Sequence, residues 1–346
     1  MMQFISHRIA SHRIASHRRR GYYCKFLSAL MVFSAVMLAG CNDGDESLVD
    51  AYGEQSTRSI PGPVHVLYPP PEGYYTEEML RNWVDVPPPV EAILDKDPAQ
   101  RSDYYSNRLT FANVQYVANG GQMGGNLCRT FPAEARQSVQ AALNIWGAIL
   151  NSPQPVTVRA CWSLLASGAA AMAGATELKP ITLDGVPLWV PIALANAVSN
   201  RDLNTADVDF EVTVDAGTLW HYDPQVLPPS TRLDLTSALL HELGHGLGIN
   251  TFASRAANGV GSWLYPSSVS SYDQFLRLRT TTQSGTAVLQ NLRNVSLFPN
   301  GSLVLGNAFV SDQVFFAGSR AMAANNGQPV RLQASTARGA AVPVLP

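Results

Sequence analysis

The stretch Leu239-Leu240-His241-Glu242-Leu243-Gly244-His245-Gly246-Leu247-Gly248 decides how the rest of the chain is read. Leu235, Ala238, Leu239, Leu243 and Leu247 recur at helical spacing, and Asp234 stands where a helix N-cap belongs. On that helix His241 and His245 are four residues apart, so their rings leave one face and can hold a single metal ion. Glu242 lies beside this face, placed to take a proton from water held by the metal. Zinc suits such a site, because it accepts imidazole nitrogen, keeps a coordination position open and brings no redox chemistry. The same letters also fit a buried helix whose histidines only satisfy hydrogen bonds.

HExxH followed by Gly248 resembles the zincin metallopeptidases. In their metzincin branch this glycine turns the chain back toward a third ligand. Thr251 stands where that branch has its third histidine or aspartate. Over Asp234–Phe252 the chain is more similar to a group of secreted bacterial metallopeptidases that carry HELGHGLGF. The likeness extends over Ala141–Trp162, Pro187–Asn196, Tyr272–Leu276 and Phe315–Leu332, so that it spans roughly Cys128 to Leu332. It implies an α+β, zincin-like domain with a mixed sheet, an active-site helix and a C-terminal part rich in loops and strands. The activity it implies is that of a zinc-dependent endopeptidase acting on peptide or protein substrates. His241 and His245 would bind Zn2+, and Glu242 would serve as general base and then acid.

A catalytic zinc usually has three protein ligands. Residues 246–346 contain no histidine, glutamate or cysteine, and Asp273 and Asp312 are their only acids. Asp273 sits in Ser271-Tyr272-Asp273-Gln274-Phe275-Leu276, which matches a Tyr-Asp-x-Phe-Leu stretch of the related proteins, and it is the first candidate. It could equally cap a helix running to Leu278 or form a salt bridge. Tyr272 and Tyr265 are candidate donors to an oxyanion. His221 could serve as ligand or oxyanion partner, but as a loop histidine beside Trp220 it reads as structural. The related proteins continue past Leu332 into Ser-His-x-Asp and Leu-Met-x-Pro segments, which would supply a third histidine and a methionine turn. This sequence runs to Pro346 without either. The alternative expectation is therefore a catalytically inactive surface lipoprotein that keeps the fold for binding or structure.

Residues 1–40 read as an export signal, with a basic region ending at Arg18-Arg19-Arg20 and an apolar run from Phe26 to Ala39. Leu38-Ala39-Gly40-Cys41 resembles the lipobox of bacterial lipoproteins, which implies lipidation at Cys41, membrane anchoring and residence in the cell envelope. The preceding SHRIA repeat (Ser6–Ala10, Ser11–Ala15) is low-complexity and is assigned no function. The formal charge of the whole chain is −2. The six basic residues of 1–40 leave with the signal, so 18 basic and 26 acidic side chains give the rest −8. Such a surface suits neither nucleic acid nor anionic lipid headgroups.

Residues 41–108 read as a polar tether followed by a proline-rich segment, with Pro69-Pro70-Pro71, Pro87-Pro88-Pro89 and a short helix over Thr76–Trp83. A spacer, an inhibitory propeptide or a strap across the catalytic domain would each fit, and the spacer is favoured. His65 there reads as a surface histidine. The catalytic domain is expected over 109–346, its strand-rich region beginning about residue 280. Cys128 and Cys161 bracket a helix–strand unit; as an even pair in an exported chain they are most simply a disulfide. Predicted strands are Leu109–Val117, Val156–Cys161 and Val208–Val214, with a helix over Pro132–Leu150. Ser167–Gly174 reads as a loop or loose helix, and Pro187–Val198 as a turn into a short helix. Val288–Leu292, Ser302–Val304, Val314–Phe316 and Val330–Leu332 are expected strands. The alternation in Val208–Val214 makes it a candidate edge strand for pairing with extended peptide, or an ordinary sheet strand.

Overall fold

The computed structural model describes residues 59–67 and 109–332, except 113, 184–185, 227, 230 and 266–268. Residues 1–40 expected as a signal, Cys41, the expected tether, Thr76–Trp83 and residues after Leu332 lie outside the described residues.

The fold is α+β. Strand β1 (His65–Leu67) comes first, followed by β2 (Gln115–Tyr116) and a small hairpin of β3 (Gln122–Met123) and β4 (Asn126–Leu127). Helix α1 (Ala133–Ile149) starts after Pro132, which has no N–H to leave unsatisfied, and buries Val139, Leu143 and Trp146 along one side. Next come β5 (Val158–Ser163), β6 (Ala171–Ala175), the hairpin β7 (Leu178–Leu183) and β8 (Val186–Pro191), and helix α2 (Ile192–Ser199). Strand β9 (Phe210–Asp215) and the short parallel pair β10 (Trp220–His221) and β11 (Leu233–Asp234) lead into helix α3 (Leu235–Gly246).

A five-stranded sheet runs in the order β1-β6-β9-β5-β2. Strands β2, β5 and β9 are parallel, while β6 opposes β9 and β1 opposes β6, so the sheet is mixed. Helices α1 and α3 pack on each other, and α3 lies across β6. Val158, Ala160, Val212, Val214, Ala171 and Ala173 from the sheet share one core with Leu143, Trp146, Leu239 and Leu243 from the helices. The Cys128–Cys161 disulfide ties the end of the β3–β4 hairpin to β5 across a separation of 33 residues. Closing a loop of that size removes roughly 3–4 kcal/mol of unfolded-chain freedom in the entropic picture.

The remaining chain builds on a second core. It contains the hairpin β12 (Ala253–Arg255) and β13 (Gly261–Trp263), strands β14 (Leu276–Thr281) and β15 (Ala287–Asn291), helix α4 (Leu303–Phe309), β16 (Val314–Phe316), helix α5 (Ser319–Ala324) and β17 (Val330–Arg331). Strands β15-β14-β16-β17 form an antiparallel sheet, and Phe252, Trp263, Leu276, Leu292, Leu305 and Phe309 fill the space behind it. Among the described residues no helix is long and apolar enough to cross a membrane.

Six expectations change. Of the strand expected over Leu109–Val117, only β2 forms among the described residues, with a single bridge from Phe111 to Val156. The turn expected at the start of Pro187–Val198 is strand β8, paired with β7, and only the short helix after it forms as expected. Strand β9 is no edge, because β5 and β6 occupy both its ladders and Thr213 is buried like its apolar neighbours. The stretch Ser167–Gly174, expected as loop or loose helix, supplies strand β6; its alanines and glycine have little strand propensity of their own, but their small size lets α3 approach the sheet. Ser302–Val304 opens helix α4 instead of a strand, with the Ser302 hydroxyl capping Leu305 N–H at 3.1 Å. Finally, Ser59–Leu67 is part of the folded body rather than spacer, since β1 extends the main sheet and Leu67 joins its core.

Candidate metal centre

Helix α3 is buried from Leu235 to Gly246, so what surrounds it matters more than its own propensity. The Asp234 carboxylate caps its start, accepting from Ser237 N–H at 2.8 Å and from the Ser237 hydroxyl at 2.5 Å. Trp146 Nε1 of α1 donates to the Leu240 carbonyl at 3.1 Å and fixes the helix laterally. At Gly246 any Cβ would collide with the Phe210 ring of β9, so the glycine sets how closely helix and sheet meet. The helix ends at Leu247, and Gly248 takes φ 114°, a left-handed turn open to glycine at little cost.

That turn orients the histidines. It swings the Ile249 carbonyl back onto His245, whose Nδ1 donates to it at 2.7 Å. The His245 proton is thereby placed on Nδ1, and its Nε2 lone pair is left to accept from His241 Nε2 or to bind a cation. His245 Nε2 and His241 Nε2 converge to 3.1 Å, with the rings edge to face. Burial pushes the His241 imidazole down to about 3, and burial with the neighbouring histidines holds His245 well below its ordinary value. Both rings are therefore neutral at physiological pH and able to donate a lone pair to a cation.

Glu242 is fully buried, and neither carboxylate oxygen has a hydrogen-bond partner. Burial alone raises its pKa well above the ordinary carboxylate range. Such a group is costly unless something completes its environment. A divalent cation held by the adjacent imidazoles would do so, because its charge favours the ionised carboxylate. The paired imidazole nitrogens, and an unpartnered carboxylate on the same helix, are donor types that fit zinc.

Asp273 stands elsewhere. It is fully buried in the 3-10 turn Asp273–Phe275, where Oδ1 accepts from the Thr251 hydroxyl at 2.6 Å and Oδ2 from Phe252 N–H at 2.9 Å. Thr251, at the position of the metzincin third ligand, is thus turned toward Asp273, and the pair joins the segment after α3 to the second core. Among the described residues no three His, Cys, Asp or Glu side chains gather as a metal-holding group. The structure brings His241 and His245 together, leaves Glu242 without a polar partner on the same helix, and engages Asp273 elsewhere.

The other candidates also find structural partners. His221 Nε2 donates to the carbonyls of Asp223 at 3.0 Å and Val226 at 2.9 Å, holding its loop as expected of a structural histidine. Tyr272 stacks on Phe316, and the Tyr265 hydroxyl donates to the Pro61 carbonyl at 2.9 Å.

His65 is the residue that sequence reasoning misplaced. It is half-buried on β1, its ring stacked on His245 with centroids 4.3 Å apart, and its Nε2 donates to Asn250 Oδ1. The apolar run Val64-His65-Val66-Leu67 after Pro63 carried a strand signal, but no local pattern showed which strand it would join. No family model, no curated protein and no solved structure matches the chain.

Proposed function

We propose that this chain is a zinc-dependent peptidase of the zincin kind, exported and held in the cell envelope through lipid on Cys41. One observation carries the reading. The Nε2 atoms of two neutral imidazoles meet at 3.1 Å, within hydrogen-bond distance of each other, and the residue between them on the helix, Glu242, is a buried carboxylate with no partner. A helix whose histidines served only packing would not leave Glu242 unsatisfied in the protein interior.

His241 and His245 would hold the metal, with His245 oriented by the Ile249 carbonyl. Bound there, zinc supplies Lewis acidity, polarising a carbonyl and making water a stronger acid. Glu242 accepts the proton of the attacking water and delivers it to the leaving amine. Its burial suits both steps, because a carboxylate in an apolar site is a stronger base than one in water. Helix α3 is fixed at its start by Asp234 and at its side by Trp146, so the carboxylate keeps its place while the substrate reacts.

A second reading, a non-enzymatic lipoprotein with a zincin-like site, is favoured by the engagement of both Asp273 oxygens with Thr251 and Phe252. Glu242→Gln separates the two. In the peptidase it keeps bound zinc while hydrolysis of an unstructured protein substrate falls by at least about a thousandfold, since it loses the base but no ligand. Equal and measurable hydrolysis by wild type and variant, or by both in the Gly62→Val background, would sink the assignment of Glu242.

A further inference from the structure

The short strand β1 occupies the one edge of the main sheet that borders helix α3. Helix α3 packs on β6 and touches β1 itself, and β1 pairs with β6 antiparallel, with His65 opposite Ala173 and Leu67 opposite Ala171. The pairing continues at both ends: Ala170 N–H donates to the Leu67 carbonyl at 2.7 Å, and Ile60 exchanges hydrogen bonds with Leu178. Residues two apart on a strand share a face. His65 and Leu67 both face α3, the first stacked on His245 and the second buried in the main core. The strand therefore does what a bound extended peptide does, with main-chain bonds along a sheet edge and alternate side chains in fixed places.

We propose that Ser59–Leu67 is an internal occupant of the peptide groove, so that the site stays latent until this segment leaves β6. The inference rests on the peptidase reading above. His65 lies over the metal-binding face and shuts a substrate carbonyl out. Leu67 marks the pocket beside α3 as apolar, so the groove takes an extended peptide with an aliphatic side chain two residues beyond the position over the histidines. Gly62 makes the close fit possible, because any Cβ there would strike the Ala175 carbonyl. The same crowding offers a way to expel the segment without touching the metal-binding residues.

The test compares zinc-loaded full-length wild type, Gly62→Val and His65→Ala. Zinc content, amide exchange along Ala171–Ala175 and hydrolysis of unfolded fluorescent casein are measured on each. Gly62→Val should retain zinc, exchange faster along β6 and hydrolyse casein at least tenfold faster than wild type. His65→Ala, which removes only the ring over His245, should also raise hydrolysis. Faster exchange with no gain in hydrolysis would overturn the proposal. So would loss of zinc in His65→Ala alone, because His65 would then be a working ligand instead of a cover. Failure of the peptidase reading itself looks different, with no zinc in the wild type and no hydrolysis by any of the three.

Discussion

At the scale of single residues, three buried groups on helix α3 contribute to how the metal-free protein responds to pH. His241 and His245 have folded-state pKa values below the ordinary histidine value of about 6.5. The unfolded chain therefore binds protons that the fold refuses. Their contribution to stability is complete above about pH 6.5 and is lost as pH falls below it, through about 3 for His241. Glu242 acts in the opposite sense, because its folded pKa is raised. Its contribution is complete below about pH 4.3, the ordinary glutamate value, and is lost as pH rises through the raised one. Glu242→Gln removes only that alkaline loss. Metal-free Glu242→Gln should melt at least about 3 °C above metal-free wild type near pH 8, with the gap closing near pH 4. Coincident melting curves near pH 8 would show that Glu242 finds a partner in solution.

At the scale of elements, helix α3 depends on its cap as well as its burial. Asp234 satisfies Ser237 N–H inside the protein, where water cannot replace it. Asp234→Ala should cost about 1–2 kcal/mol, seen as a lower denaturant midpoint with an unchanged slope. Asp234→Asn, which keeps an acceptor, should cost less, and equal losses in the two variants would contradict the cap. The same helix shows what the sequence made legible. Apolar residues at helical spacing placed α1 and α3, and Asp234, the glycine turn and the paired histidines could all be read from short-range pattern. Strand β6 could not, since a run of alanine and glycine has little propensity for any element. Its structure comes from β9 on one side and α3 above, contacts that no local window contains.

At the scale of the whole molecule, the illegible parts are those made by residues far apart in the chain. His65 meets His245 and Asn250 across about 180 residues of sequence, so reading it as a surface residue of a spacer followed naturally from local composition. Asp273 looked available to a metal because acids are scarce after His245 and its stretch resembles Tyr-Asp-x-Phe-Leu of the related proteins. Its partners, Thr251 and Phe252, became visible only once the segment after α3 had folded against the second core. The Cys128–Cys161 link, by contrast, was legible as an even pair, and it fastens the hairpin ahead of α1 to the central sheet.

The central claim is that His241 and His245 form a metal centre. It is tested most directly by zinc content of the purified protein, wild type beside His245→Ala, after dialysis against a low concentration of free zinc. The account predicts about one zinc per wild-type chain and loss of that zinc in the variant, with both proteins folded. A folded wild type without zinc, or a variant that retains it, would contradict the account.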